Sequence, residues 1–396
     1  MTASCDSHAS HHGRDAAAVR RACIAAVEEA LRETPDAALA GAVERLSDLY
    51  TTGRGSLVRE QADAAHLAAK REYFLASDAP KVGACLDECA ARDAAFARLA
   101  TADALRVVDL GAGTGATSVG LLAWIAGMRA ALGLGGARIE ILAVELGAPA
   151  AAALGDAVRA AAAHARLEVS LRVEQRDFRE YTPPACDLIL CQTAVNELLV
   201  GETHSAATCD MVGRWAHHAP LVVIEPALRA TTRALMALRD TLASTTGARI
   251  VGPCLHAKPC PLLPRASEWC HEARRIEQTP RVAAIDRIVG RRDGRALYAW
   301  LATAPGAASL GATADGTPVT LRVLTDPLGS RGKTERIVCG SDGALRTMRL
   351  LDRETSEGNR LFLDAPQGAD LVVEPLPAND RIAPAASVRR AASANP

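Results

Sequence analysis

Val107–Ser118 reads VVDLGAGTGATS. An apolar run closes on an aspartate, three glycines alternate over five residues, and a helix-forming stretch, SVGLLAWIAGMRAAL, follows. The order is strand, tight turn, helix. Gly111 permits the turn, and Gly113 and Gly115 let the backbone approach a ligand where a Cβ would clash. The string also satisfies G-x-G-x-x-A from Gly111 to Ala116, the loop form that opens dinucleotide-binding units.

Working outward, strand-like runs alternate with helical ones. LRVVDL, RIEILAVE, LEVSLRVEQ, CDLILCQ and PLVVIEP are rich in Val, Ile and Leu, and alanine-rich amphipathic stretches lie between most of them. That is the pattern of a doubly wound parallel sheet. Upstream, from Asp15 to about Leu99, apolar residues recur at helical spacing, as in VRRACIAAVEEAL. Downstream, RALYAWLATA reads as another strand, and TLRVLTDP, ERIVCGSDGALRTMRLL and ADLVVEP are short alternating runs broken by Gly, Asp and Pro. The expected organisation is a disordered tail over 1–14, an N-terminal helical domain over 15–99, and a ligand-binding α/β domain over 100–305. A small β-rich domain over 306–377 and a second disordered tail over 378–396 complete it.

Two features of the glycine loop favour S-adenosylmethionine over NAD, and with it a class I methyltransferase (Rossmann-like) fold. Asp109 ends the strand just before the glycines, where a carboxylate orients the loop or meets a cationic amino-acid ligand. The close alternation of Gly111, Gly113 and Gly115 is the loop style of class I methyltransferases. Glu145, at the end of the second strand, is then placed to accept ribose hydroxyls. Asp177, in QRDF after the third strand, is placed to accept the adenine amine. No catalytic residue is assigned: after the fourth strand the chain reads CQTAVNEL, not the Asn/Asp-Pro-Pro-aromatic run that cradles an exocyclic amine in many N-methyltransferases.

Composition excludes several classes. With 396 residues, 49% hydrophobic and 23% charged, the chain reads as globular, and no apolar run reaches the length of a membrane span. The N-terminus lacks the apolar core of a secretory signal, so a cytoplasmic location is expected. Eleven cysteines, an odd number, argue for a reducing compartment rather than a disulfide framework. A net charge of −1 and 3% aromatics give neither a strongly basic surface nor a stacking platform for single strands, and no DNA or membrane partner is expected. One local exception runs from Arg274 to Arg295, where seven arginines face only Glu277, Asp286 and Asp293. Such a patch can hold RNA phosphates through bidentate hydrogen bonds, Arg291 and Arg292 among them. Only four of the 45 basic residues are lysine, so genomic base composition explains the same arginines equally well.

A second constellation lies in Val251–His271, VGPCLHAKPCPLLPRASEWCH. Cys254, Cys260 and Cys270 fall within 17 residues, the first two each preceded by proline. Prolines remove N–H donors and fix the backbone, so the segment is a rigid loop rather than a helix or central strand. A rigid loop with several thiols suits a soft metal or an iron–sulfur cluster. A Pro-Cys nucleophile of the RNA cytosine-C5 methyltransferase kind is the rival, but these cysteines fall past the fifth strand.

From REYFLASDAPKVGACLDE through VVDLGAGTGA, TAVNEL and VVIEPALRATTRALMALRDTL to GPCLHAKPCPL and EWCH, the chain resembles the methyltransferase-like proteins of the small ribosomal subunit found in bacteria and mitochondria. The resemblance covers about residues 70–375. It implies association with small-subunit, 16S-type ribosomal RNA, and a [4Fe–4S] cluster held by three cysteines of the loop and a fourth from the C-terminal β region. Here the fourth is Cys339, in RIVCGSDG. Four thiolates also suit zinc, so Cys254, Cys260, Cys270 and Cys339 leave the metal open. Thr114 stands where the family often has proline, which is closer to working methyltransferases, and Ala227 stands where a glycine is frequent. Three functions stay open: a methyltransferase acting on ribosomal RNA, a non-catalytic assembly factor of the small subunit, and a small-molecule methyltransferase with structural zinc.

Overall fold

The computed structural model describes residues 6–51, 64–199, 206–276, 278–291, 294–306 and 318–391. The chain divides into two compact units. The first comprises Met1–Ala90, Ala94–Ala194 and Arg275–Ala296; the second comprises Ala91–Asp93, Val195–Arg274 and Leu297–Pro396.

In the first unit, β1 (Ala104–Leu110), β2 (Arg138–Val144), β3 (Glu168–Glu174) and β4 (Leu188–Gln192) run parallel in the order β3-β2-β1-β4. β1 and β4 are near-continuous apolar runs because both faces of a central parallel strand are covered. Val107 pairs with Ile141 on one side and Leu188 on the other. The helix Ala116–Ala131 that follows β1 is apolar all round, and 12 of its 16 residues are buried. A helix covered on one side only would show a polar stripe. The cover on its outer side comes from the N-terminal helices. Trp124 is fully buried and its indole N–H donates to Asp87, which also pairs with Arg20 of the helix Asp6–Ala30. A Cβ on Gly120 would stand 2.3 Å from the carbonyl oxygen of Ala79, and one on Gly127 would stand 2.7 Å from that of Ala16.

The N-terminal helices expected as a domain of their own over 15–99 therefore belong to the same compact unit as β1–β4. The tail expected to be disordered is helical from Asp6, because a helix started by the amphipathic stretch after Asp15 extends backwards at little cost per residue.

In the second unit, β5 (Leu221–Pro226), β6 (Arg249–Gly252) and β8 (Arg295–Ala304) form the order β5-β8-β6, with β8 antiparallel to both neighbours and also paired to β7 (Glu272–Arg275). The parallel order β3-β2-β1-β4 and an antiparallel strand inserted before the last one are the two halves of the class I methyltransferase pattern. The same unit carries an antiparallel sheet of β9 (Thr320–Val323), β10 (Leu328–Ser330), β11 (Lys333–Gly340), β12 (Leu345–Leu351), β13 (Asp370–Glu374) and β14 (Ser387–Arg390). Its path is β10-β11-β9-β13-β14, with β12 on β11. Leu321, Val338, Met348, Phe362, Leu371, Ile382 and Val388 form its core. Residues 378–391, expected to be a disordered tail, thus close this sheet. The polar, proline-broken sequence hides that Ile382, Ala386 and Val388 fall on one buried face.

Close approach at Gly120 gives a first prediction. Gly120→Ala must push against the backbone of Ala79, which cannot yield cheaply, and is expected to lose about 1–3 kcal/mol in urea denaturation. Gly135→Ala, with nothing within 4 Å of its Cβ, should change stability by less than about 0.5 kcal/mol. Equal effects at the two positions would rule out close packing as what joins the N-terminal helices to the sheet.

Candidate functional site

All three loop glycines take positive φ: 67° at Gly111, 52° at Gly113 and 103° at Gly115. Their surroundings differ. A Cβ on Gly111 would meet Ala194 at 2.6 Å and one on Gly115 would meet Leu154 at 2.9 Å, so these two serve internal packing. A Cβ on Gly113 would have nothing within 4 Å. Gly113 is where something from outside the chain can come against the backbone.

Acids surround this loop. Asp109 is fully buried and one carboxylate oxygen, Oδ2, accepts from Ser118 Oγ at 2.6 Å. The other, Oδ1, has no partner. Burial, with help from Glu145, pushes the Asp109 carboxyl up to about 7. Glu145 accepts from the N–H groups of Gly113 and Gly147, each at 2.8 Å, so it braces the loop that it was expected to serve as a ribose acceptor. Its two oxygens retain further lone pairs. Thr114 Oγ1 donates to the carbonyl of Lys70 at 3.1 Å, where the chain forms a π-turn over Lys70–Phe74. Asp177 is engaged by its neighbour. It caps the short turn Phe178–Glu180, and its pairing with the Arg179 side chain holds its carboxyl below the usual range. Sequence reasoning passed over Phe178, whose ring lies 3.6 Å from where a Cβ on Gly111 would stand. Its signal was the aromatic residue directly after Asp177.

In the second unit, Cys254, Cys260, Cys270 and Cys339 line one cavity, together with His256, Thr232, Met236, Arg239, Trp300 and Arg322 among others. Cys339, 69 residues beyond Cys270, arrives on β11, paired to β9 opposite Arg322. The loop itself has little regular structure, and its carbonyls are satisfied by arginines of the helix Arg229–Thr241. Arg239 donates to the carbonyls of His256 and Lys258, and Arg233 to those of Leu263, Arg265 and Glu268. Asp240 accepts from the Cys260 N–H at 2.8 Å. Lys258 Nζ donates to the carbonyl of Asp342 at 2.8 Å, which ties the loop to the β11–β12 hairpin. Cys339 Sγ lies 3.4 Å from His256 Nε2.

Burial, reinforced by the neighbouring Cys254, pushes the Cys260 thiol up to about 11 and the Cys339 thiol up to about 12; Cys270 is raised well above its ordinary value. As they stand these are neutral thiols, and ligation would have to displace their protons. Among the described residues, no group of three or more His, Cys, Asp or Glu side chains is arranged to hold a metal ion.

Two features were not legible in the sequence. Glu225, at the end of β5, is fully buried and accepts from Asn196 through both its backbone N–H (3.0 Å) and side-chain amide (2.7 Å). Burial pushes its carboxyl up to about 8. The arginine patch is also different from its expected form. Arg281 is buried and pairs with Glu72 and Asp36, Arg291 donates to Tyr73 Oη (2.6 Å) and Ser47 Oγ (2.7 Å), and Arg274 pairs with Glu272. Arg292 lies outside the described residues. A charge count cannot show that these arginines already have partners inside the fold.

No curated protein matches the chain. Among solved structures it is similar to YjhP from E. coli (16% identity, 37% of this chain and 55% of that chain, TM-score 0.22). It is similar also to the N,N-8-amino-8-demethyl-D-riboflavin dimethyltransferase of Streptomyces davawensis (15%, 69% and 70%, TM-score 0.32). A third likeness is to human N-acetylserotonin methyltransferase, solved with S-adenosylmethionine (15%, 63% and 58%, TM-score 0.29). The chain spans little more than half of the first and third of these proteins, and all three likenesses are distant. A family model gives the firmer assignment. The model for the mitochondrial small ribosomal subunit protein Rsm22 matches residues 71–363, well over half of the chain, taking in the glycine loop and all four cavity cysteines; this chain belongs to the Rsm22 family.

Proposed function

We propose that this protein binds S-adenosylmethionine at the Gly111–Gly115 loop, holds a [4Fe–4S] cluster on Cys254, Cys260, Cys270 and Cys339, and acts on or binds the RNA of the small ribosomal subunit. The observations that carry the donor site are the open position at Gly113 in the loop and, at the end of the strand leading into it, a buried Asp109 with an unpartnered oxygen. A pyrophosphate beside Asp109 and Glu145 would meet like charge, whereas a sulfonium and ammonium ligand meets opposite charge. The donor supplies an electrophilic methyl group, and the chain's part is to position it. Glu145 braces the loop, Asp109 supplies negative charge when a cationic ligand draws it into its ionised form, and Phe178 offers an apolar face beside Gly111.

The cluster assignment is supported by the donor set, four thiols around one cavity, by the buried Arg239 and Arg322 in its walls, and by the family resemblance. Two buried guanidinium groups offset the negative charge that four thiolates would bring. Family membership supports association with the small subunit, and RNA as the contacted component is part of the proposal.

Calorimetry tests the donor site. Gly113→Val should cost roughly 2–4 kcal/mol of donor affinity by filling ligand volume and leaving polar groups unpaired. Since burial favours the neutral form of Asp109 and a cationic ligand favours the ionised form, affinity should rise between pH 6 and 7.5, by up to about tenfold per pH unit. Asp109→Asn should flatten that rise. A folded wild type with no measurable donor binding would remove the site.

For the metal, protein purified without oxygen is expected to be brown, with broad absorption at roughly 400 nm. Cys339→Ser should lose iron and loosen the second sheet, because metal binding and folding are coupled. Stoichiometric zinc without iron would replace the cluster with a structural zinc site.

For the RNA, mapping methylation in small-subunit RNA from cells with and without the gene separates the functions. A mark lost with the gene identifies a methyltransferase. Unchanged methylation together with defective subunit assembly identifies a non-catalytic assembly factor.

A further inference from the structure

Three residues in the wall of the cysteine cavity carry a polar atom that is buried and has no partner: Trp300 Nε1, Thr232 Oγ1 and Arg239 Nε. All three are more than nine-tenths buried, at 3%, 1% and 3% exposure. Buried polar groups are nearly always bonded, and a tryptophan N–H in a protein interior usually finds an acceptor. Each of these atoms is a donor, and Arg239 uses its two terminal nitrogens on loop carbonyls while its Nε is left over. What these three leftover donors lack is an acceptor; the cavity that their residues line holds four cysteines, and the carboxylate it also contains, Glu272, is already taken up by Arg322 and Arg274. A neutral thiol is a weak acceptor. A thiolate bound to metal, or a bridging sulfide, is a good one.

We propose that Trp300 Nε1–H, Thr232 Oγ1–H and Arg239 Nε–H are hydrogen-bond donors to the sulfurs of an iron–sulfur centre held by Cys254, Cys260, Cys270 and Cys339. The assignment rests on the metal centre proposed above. The three are positioning residues. They hold charge on sulfur and so set the centre's reduction potential, since hydrogen bonds to the sulfurs are among the determinants of that potential. Removing a donor leaves more charge on sulfur and disfavours adding an electron.

The test uses the full-length protein purified without oxygen, with iron and sulfide content, visible absorption and midpoint potential measured for each variant. Trp300→Phe keeps an aromatic ring and removes the N–H; Thr232→Val keeps the shape and removes the hydroxyl. Thr303→Val is the control, because Thr303 Oγ1 is likewise buried without a partner but lies outside the cavity wall. Trp300→Phe and Thr232→Val should keep wild-type iron content and shift the potential to more negative values, and Thr303→Val should leave it unchanged. Wild-type potentials in both cavity variants at full iron content would overturn the proposal while leaving the cluster in place. A wild type carrying no iron would overturn the cluster assignment, and this proposal with it.

Discussion

Arg322 is the constraint on which the cysteine cavity rests. It sits in β9 at 3% side-chain exposure and pairs with Glu272, which follows Cys270 by two residues, and with Asp370 on β13. Asp370 in turn pairs with Arg92, whose guanidinium also reaches the carbonyls of Val251 and Pro253 at the start of the loop. Both ends of a proline-rich loop and the second sheet are thereby joined through one buried network of opposite charges. Burial by itself would raise the Glu272 carboxyl, but Arg322 and Arg274 hold it below its ordinary value. Removing one member of such a network leaves an uncompensated buried charge, which typically costs about 3–5 kcal/mol.

That constraint explains why the loop can do without secondary structure. Its prolines forfeit N–H donors and its turns leave carbonyls free, so the acceptors must be satisfied from outside. Arg233 and Arg239 of the helix Arg229–Thr241 do this, and Lys258 secures the far side to the β11–β12 hairpin. Cys339 reaches the cavity because β11 is held against β9, on which Arg322 sits. The glycine loop follows a different logic. There the backbone itself takes the unusual conformation, Glu145 braces it through the Gly113 N–H, and Asp109 is held by Ser118.

Several expectations failed for one common reason. The N-terminal helices belong with the first half of the sheet, residues 378–391 complete the second sheet, and Arg281 and Arg291 are taken up by Glu72, Asp36, Tyr73 and Ser47. Each depends on partners far away in the chain. Local pattern and charge count report what a segment can do, not which distant group reaches it first.

Local readings held where the physics is local. The apolar strands, the helix after Ser118 and the turn at Gly111 follow from residue size, periodicity and backbone freedom, all present within a dozen residues. The four cysteines were legible through spacing and resemblance. Tertiary structure alone decided that Gly111 and Gly115 pack while Gly113 faces open space, that Asp177 is held by Arg179, and that Glu225 is buried against Asn196. It also decided that Trp300, Thr232 and Arg239, each with a buried donor left without a partner, line the same cavity as the four cysteines. Desolvation and hydrogen-bond satisfaction are properties of a closed interior, and an interior exists only once the chain has folded around it.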